Sequence, residues 1–150
     1  MPKLDALLAD YAAYHATKGN VTCHFVGIPL IVFGLLSMLA AVPLGTLGTG
    51  FEWTLAEALV LVVGVVYLLL DVRLALAMIA ASALLDAAAR LLGNPWIGVL
   101  AFAVGWVFQA IGHARYEKKA PAFLKNALHL LVGPLFLLNE VLHVHELAAR

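Results

Sequence analysis

Twenty-two consecutive residues, 21–42, contain no Asp, Glu, Lys or Arg, and His24 is the one side chain among them that titrates near neutrality. Rising about 1.5 Å per residue, a helix of that length crosses the ~30 Å hydrocarbon layer of a bilayer. Pro29, two turns inside, removes one backbone donor, which membrane helices tolerate as a kink. Composition agrees with this span: 64% of the 150 residues are hydrophobic and 12% are charged, about half the ~25% of a soluble domain. Eighteen charges cannot cover the surface of a water-soluble globule this large, so lipid is the expected solvent. The formal net charge is zero, leaving no basic excess for a phosphate-binding surface, and nucleic acid is excluded as a partner. The single cysteine, Cys23, can form neither an internal disulfide nor a zinc-thiolate knuckle, and reads as a buried, inert thiol. The start of the chain lacks the basic and apolar regions of a cleavable signal, so the first span is expected to stay in the mature protein.

Residues 3–18 place Leu4, Leu7, Leu8, Tyr11, Tyr14 and His15 on one stripe, predicting a short helix too polar to span. Gly19 then supplies a permissive stop and Asn20 a cap for the next helix. Further apolar runs cover 55–70, 74–92 (with Asp86 inside), 96–111 and 126–142. They are divided by a Gly- and Thr-rich loop, a tight Asp71-Val72-Arg73 turn, Gly93-Asn94-Pro95, and a basic stretch over 112–125. The expectation is an all-α fold: a polytopic helical membrane bundle of about four to five apolar spans with a short N-terminal interfacial helix, 1–150 forming one integral-membrane domain. With the N-terminus cytoplasmic and each run crossing once, Lys3, Lys18, Arg73, Arg115, Lys118, Lys119 and Lys125 lie inside, and Arg90 and Arg150 outside. That topology brings His15, His24 and His113 to one cytoplasmic membrane surface, and leaves His143 and His145 as a solvated tail on the far side.

His15 and His24 are nine residues apart and would point oppositely on one continuous helix. A reversal at Gly19-Asn20 lets both imidazoles face one spot. Gln109, His113 and Glu117 are spaced i, i+4, i+8 and stack on one helix face. Glu117 would either fix a histidine tautomer or bind an ion directly; the same stripe also suits an ordinary polar seam facing a bundle interior. Three neutral imidazoles with a carboxylate suit Fe(II), Zn(II) or Mn(II) and leave positions open for dioxygen or substrate. His129, at the cytoplasmic start of the last run, is within reach of the same surface. Arg115, Lys118 and Lys119 hold the loop at anionic headgroups or attract a carboxylate.

Two blocks carry a resemblance. Tyr11, His15, Asn20, His24, Gly27 and Pro29 form the first; Trp106, Gln109, Gly112, His113, Tyr116, Glu117, Pro121, Ala122 and Asn126 form the second, followed by Pro134 and Glu140. In this order and spacing they resemble the Mpo1-like family of 2-hydroxy fatty acid dioxygenases. The resemblance implies an Fe(2+)-dependent oxidoreductase of fatty acid α-oxidation, which cleaves a 2-hydroxy fatty acid with O2 to the acid one carbon shorter. It also implies that His15, His24 and His113 ligate the metal. Eukaryotic members carry a further histidine where this chain reads Leu85-Asp86-Ala87, so Asp86 or another histidine would take its place. The expected site therefore has His15, His24, His113 and His129 as metal ligands and Glu117, Gln109 and Asn20 as catalytic residues. Membrane lipid is the expected surroundings. Two other readings of the histidines are a non-catalytic bis-histidine haem module and a lipid-binding membrane protein.

Overall fold

The computed structural model describes residues 4–48 and 50–146; Lys3 and Arg150, both used in the charge-asymmetry argument, lie outside the described residues. Helix α1 (Leu4–Ala13) buries Leu4, Leu8 and Tyr11 and stops short of the predicted 18, because residues 14–17 turn the chain back. Helix α2 (Lys18–Ala40) is capped by Thr17, whose side chain accepts the Asn20 backbone N–H. The cap is therefore Thr17 and not Asn20. Asn20 falls in the first turn with its side chain buried, and Gly19, expected outside the helix, sits against the Tyr116 ring. The 43–54 loop folds into a small antiparallel hairpin, β1 (Pro43–Thr46) and β2 (Glu52–Thr54).

Helix α3 (Leu55–Leu70) opens on a capping box between Thr54 and Glu57, and α4 (Val72–Leu92) on the Asp71 side chain, which accepts the Leu74 N–H. Each cap satisfies amide hydrogens that the first turn of a helix otherwise leaves bare. Gly93, at φ 60°, takes the left-handed conformation that ends α4. Helix α5 (Pro95–Ile111) starts with Asn94 as cap and Pro95 in the first turn, then widens into a π turn over Gly112–Glu117. A one-turn 3-10 helix (Ala122–Leu124) leads to α6 (His129–Leu142). Three helical stretches, Lys18–Ala40, Val72–Leu92 and Pro95–Glu117, are long and apolar enough to cross a membrane, and α3 is a shorter apolar helix. The fold is an all-α membrane bundle whose outer faces expose apolar side chains such as Leu61, Leu76, Leu84 and Leu100.

The fifth apolar run does not extend along the bundle as a further span. His129, at the start of α6, bonds Asp10 near the end of α1, whereas His145, just beyond α6, bonds Asp5 near the start of α1 and Asp71 between α3 and α4. Helix α6 thus lies antiparallel to α1 across one end of the bundle. Together they bury Leu8, Tyr11, Leu135 and Phe136 against Tyr67 and Leu74 at the ends of α3 and α4. His145 is consequently a tied residue rather than a solvated tail on the far side; its backbone N–H also donates to Asn139 Oδ1 at 2.8 Å.

Helices α2 and α5 run antiparallel in closest contact through glycines. A Cβ at Gly105 would stand 2.7 Å from the Gly27 carbonyl oxygen, and one at Gly98 would stand 3.0 Å from that of Gly34. Without side chains at these positions the two backbones meet directly, the packing small residues permit between membrane helices. That approach sets His24 on α2 opposite His113 at the end of α5.

Candidate metal centre

His15 follows α1 and His24 lies in the second turn of α2, so the turn at 14–17 folds one imidazole onto the other. His15 Nδ1–H donates to the Tyr11 carbonyl at 2.7 Å, and His24 Nδ1–H donates to the Asn20 carbonyl at 2.9 Å. A carbonyl oxygen only accepts, so both rings carry their proton on Nδ1 and present a lone pair at Nε2. The two Nε2 atoms are 3.0 Å apart. Two lone pairs at that separation repel unless a positive centre is shared between them. Burial opposes a second proton: His15 is 1% exposed, and its pKa is pushed down to about 3 by burial and then by neighbouring His24. A metal cation is a partner that such a pair of nitrogens could share.

His113 brings a third imidazole. Its ring centroid lies 5.0 Å from that of His15 and 5.0 Å from that of His24, and one nitrogen from each of the three falls within 4.8 Å of the others. His113 Nδ1 is buried with no hydrogen-bond partner among the described residues. The donor set fits a metal on three counts: converging lone pairs, tautomers held by backbone carbonyls, and a buried nitrogen left over. Tyr11 stacks on His15 at 3.9 Å and 8°, which fixes the plane of that ring.

Glu117 is outside the group of three. Its carboxylate accepts from the backbone N–H groups of Ala16 (3.2 Å) and Thr17 (3.1 Å), the Thr17 hydroxyl (3.0 Å) and Asn20 Nδ2 (3.2 Å). It buckles the α1–α2 turn, the segment joining two of the three histidines, to the end of α5. Asn20 spans the same buckle, with Nδ2 also donating to the Tyr14 carbonyl at 3.2 Å. The π turn is what delivers His113 and Glu117 together. Such a turn is rare and recurs at functional sites, and nothing in the i, i+4, i+8 spacing announced it.

Beneath the histidines an apolar cavity of about 370 Å³ runs between α2, α3, α4 and α5 as far as Leu36 and Ser82. Gln109 and His129 line it. His129 Nε2–H donates to Asp10 Oδ2 at 2.8 Å, and His129 is not among the three converging histidines. Asp86 takes no part either: Arg90 Nε donates to it at 3.0 Å, and Arg90 pairs also with Glu57 beside Thr54, at the opposite end of the bundle. Asp86 is therefore not the substitute for a third-span histidine. Cys23 is buried as expected, its Cβ against Gly112.

These features define a class: an integral-membrane helical protein with a buried three-histidine site at the head of an apolar cavity. The chain belongs to the Mpo1-like family, whose model, described as 2-hydroxy-palmitic acid dioxygenase Mpo1-like, matches residues 1–145. Over 150 aligned residues it is 31% identical to the 2-hydroxy-palmitic acid dioxygenase MPO1 of Saccharomyces cerevisiae, covering 93% of this chain and 79% of that protein. No solved structure matches it. The family expected from the two motif blocks is thus the family found.

Proposed function

We propose that this protein is an Fe(II)-dependent dioxygenase of fatty acid α-oxidation, converting a 2-hydroxy fatty acid and O2 to the acid one carbon shorter. The observation that carries the metal is the pair of facing Nε2 lone pairs, with His113 beside them, at the head of an apolar cavity. The substrate class is supported by the family and by the named activity of the yeast relative. His15, His24 and His113 would hold the ion, which when bound supplies the electron transfer and Lewis acidity that O2 chemistry requires. The overall reaction balances as the shortened acid, carbon dioxide and water, so no added reductant is needed.

The residues of the chain do the rest. The apolar cavity takes the acyl tail and excludes water, while the carboxyl and 2-hydroxyl remain beside the histidines. Glu117 and Asn20 keep the α1–α2 turn closed, so that His15 and His24 stay aimed together. The site is proposed to face the cytoplasm: among the described residues, Lys18, Arg73, Arg115, Lys118, Lys119 and Lys125 cluster at its end of the bundle and Arg90 alone sits at the other. The geometry favours an ion over haem, because Nε2 atoms 3.0 Å apart leave no space for a macrocycle between them.

The test is metal analysis of anaerobically purified protein, combined with mass spectrometry of products from 2-hydroxypalmitate under controlled O2. About one iron per chain and formation of the shortened acid are expected. Iron-loaded protein that yields no shortened acid would refute the proposal. Replacing His113 with Ala should lower iron content and abolish turnover while leaving helicity intact.

A further inference from the structure

Several polar groups lining the cavity already have a role. His15, His24 and His113 make the metal centre, and the Tyr67 hydroxyl donates to the Leu131 carbonyl at 2.7 Å. Two more buried lining residues each keep an atom with no hydrogen-bond partner among the described residues: His129 at Nδ1 and Gln109 at Nε2. A bare buried polar atom costs about 1–3 kcal/mol, so such atoms are usually completed by a ligand or by water.

The two atoms have opposite hydrogen-bonding character. Asp10 Oδ2 accepts the Nε2–H of His129 at 2.8 Å, so neutral His129 has its proton on Nε2 and offers a lone pair at Nδ1. Gln109 Nε2 is a donor. A 2-hydroxy acid presents the complement on adjacent carbons, a hydroxyl that donates and a carboxylate that accepts. No Lys or Arg lines the cavity, so no side-chain cation competes for the carboxylate. The Tyr11 ring stacks on His15 at 3.9 Å and lies 5.7 Å from the ring of His129, so one aromatic side chain borders both histidines.

We infer that His129 accepts a hydrogen bond from the substrate's 2-hydroxyl at Nδ1, that Gln109 donates to its carboxylate, and that Asp10 is the positioning residue that fixes the His129 tautomer. This rests on the 2-hydroxy fatty acid reading above. It gives His129 a role in substrate recognition instead of metal ligation. A fatty acid without the hydroxyl would leave Nδ1 bare again, and sites built to bond a substrate hydroxyl reject analogues lacking it.

The experiment is equilibrium binding to the metal-free full-length protein in detergent, with 2-hydroxypalmitate and palmitate each displacing a fluorescent fatty acid. Wild type is expected to prefer 2-hydroxypalmitate roughly tenfold, the worth of one buried hydrogen bond. His129→Leu should abolish that preference and leave palmitate affinity unchanged. Asp10→Asn, at an exposed position, should reduce the preference with His129 still present. Gln109→Leu should weaken both acids alike. A wild-type preference that survives in both His129→Leu and Asp10→Asn overturns the assignment; if His129→Leu does not fold, Asp10→Asn decides. Equal binding of the two acids by wild type overturns the hydroxyl subsite but not fatty-acid binding, whereas binding of neither overturns the substrate reading itself.

Discussion

Glu117 shows how a single carboxylate can govern a site that it does not enter. Four donors converge on it, three of them from Ala16 and Thr17 in the turn between His15 and His24. Glu117→Ala strips all of these acceptors at once and should cost about 3 kcal/mol, read from denaturation midpoints in detergent. Because the freed turn no longer holds His15 onto His24, iron affinity should fall about 10–100-fold, as for other residues that orient ligands. Iron affinity unchanged in a folded Glu117→Ala protein would show that the buckle is dispensable. His15 adds a pH signature. The unfolded chain protonates it near pH 6.5, but the folded chain resists until about 3 because of burial and then His24. The unfolded state therefore binds more protons between those limits, and metal-free protein loses stability as pH falls below about 6.5, by up to ~1.4 kcal/mol per pH unit from this residue. His15→Phe should flatten the slope by that amount between about pH 6 and pH 5; an unaltered slope would mean that His15 is not held neutral. The convergence of His15, His24 and His113 was legible from spacing and topology. The role of Glu117 was not, because spacing along one helix does not say that its partners lie about 100 residues earlier in a turn.

At the level of elements, the site depends on how closely α2 and α5 approach. Placing a Cβ on Gly105 would bring it 2.7 Å from the Gly27 carbonyl oxygen, a backbone atom that cannot swing aside. Gly105→Val should therefore push the helices apart at a cost of about 1–3 kcal/mol. The separation passes to His24 and His113, which lie on opposite sides of this seam, so metal stoichiometry should drop with stability. Gly48→Ala, in open space on the hairpin, should change neither and serves as the control. Deleting Ala114 tests the π turn: removing one residue converts a π turn to α-helical spacing and rotates Glu117 away from its four donors, so metal binding should be lost while helicity persists. The apolar runs made the helices predictable to within a few residues. Which pair would touch was not, since glycine seams appear only when two helices are set side by side. The π turn was equally hidden, because its six residues, Gly112–Glu117, fit an α-helix as well.

For the molecule as a whole, the largest departure from the sequence reading is the place of α6. Its 14 residues are apolar like the spans, and hydropathy alone counts it among them. What separates it is long-range pairing: His129 to Asp10 at one end, and His145 to Asp5 and Asp71 at the other, all at the end of the bundle that carries the three converging histidines. A helix with both ends tied at one level cannot also cross. If the four runs α2 to α5 each cross, the number is even and the chain would return to the side from which it started. Reporters fused at the two ends of the chain should accordingly report the same compartment, the cytoplasm by the distribution of basic residues, with green fluorescence from both fusions and phosphatase activity from neither. Opposite signals would mean that α6 spans after all, and would pull His129 away from Asp10 and the cavity. The tie can be cut without touching the site: His145→Ala removes bonds of 2.7 Å and 3.2 Å to two carboxylates. It should lower stability by about 1–2 kcal/mol and leave iron content near wild type, because α6 closes the end of the cavity but contributes none of the three converging histidines.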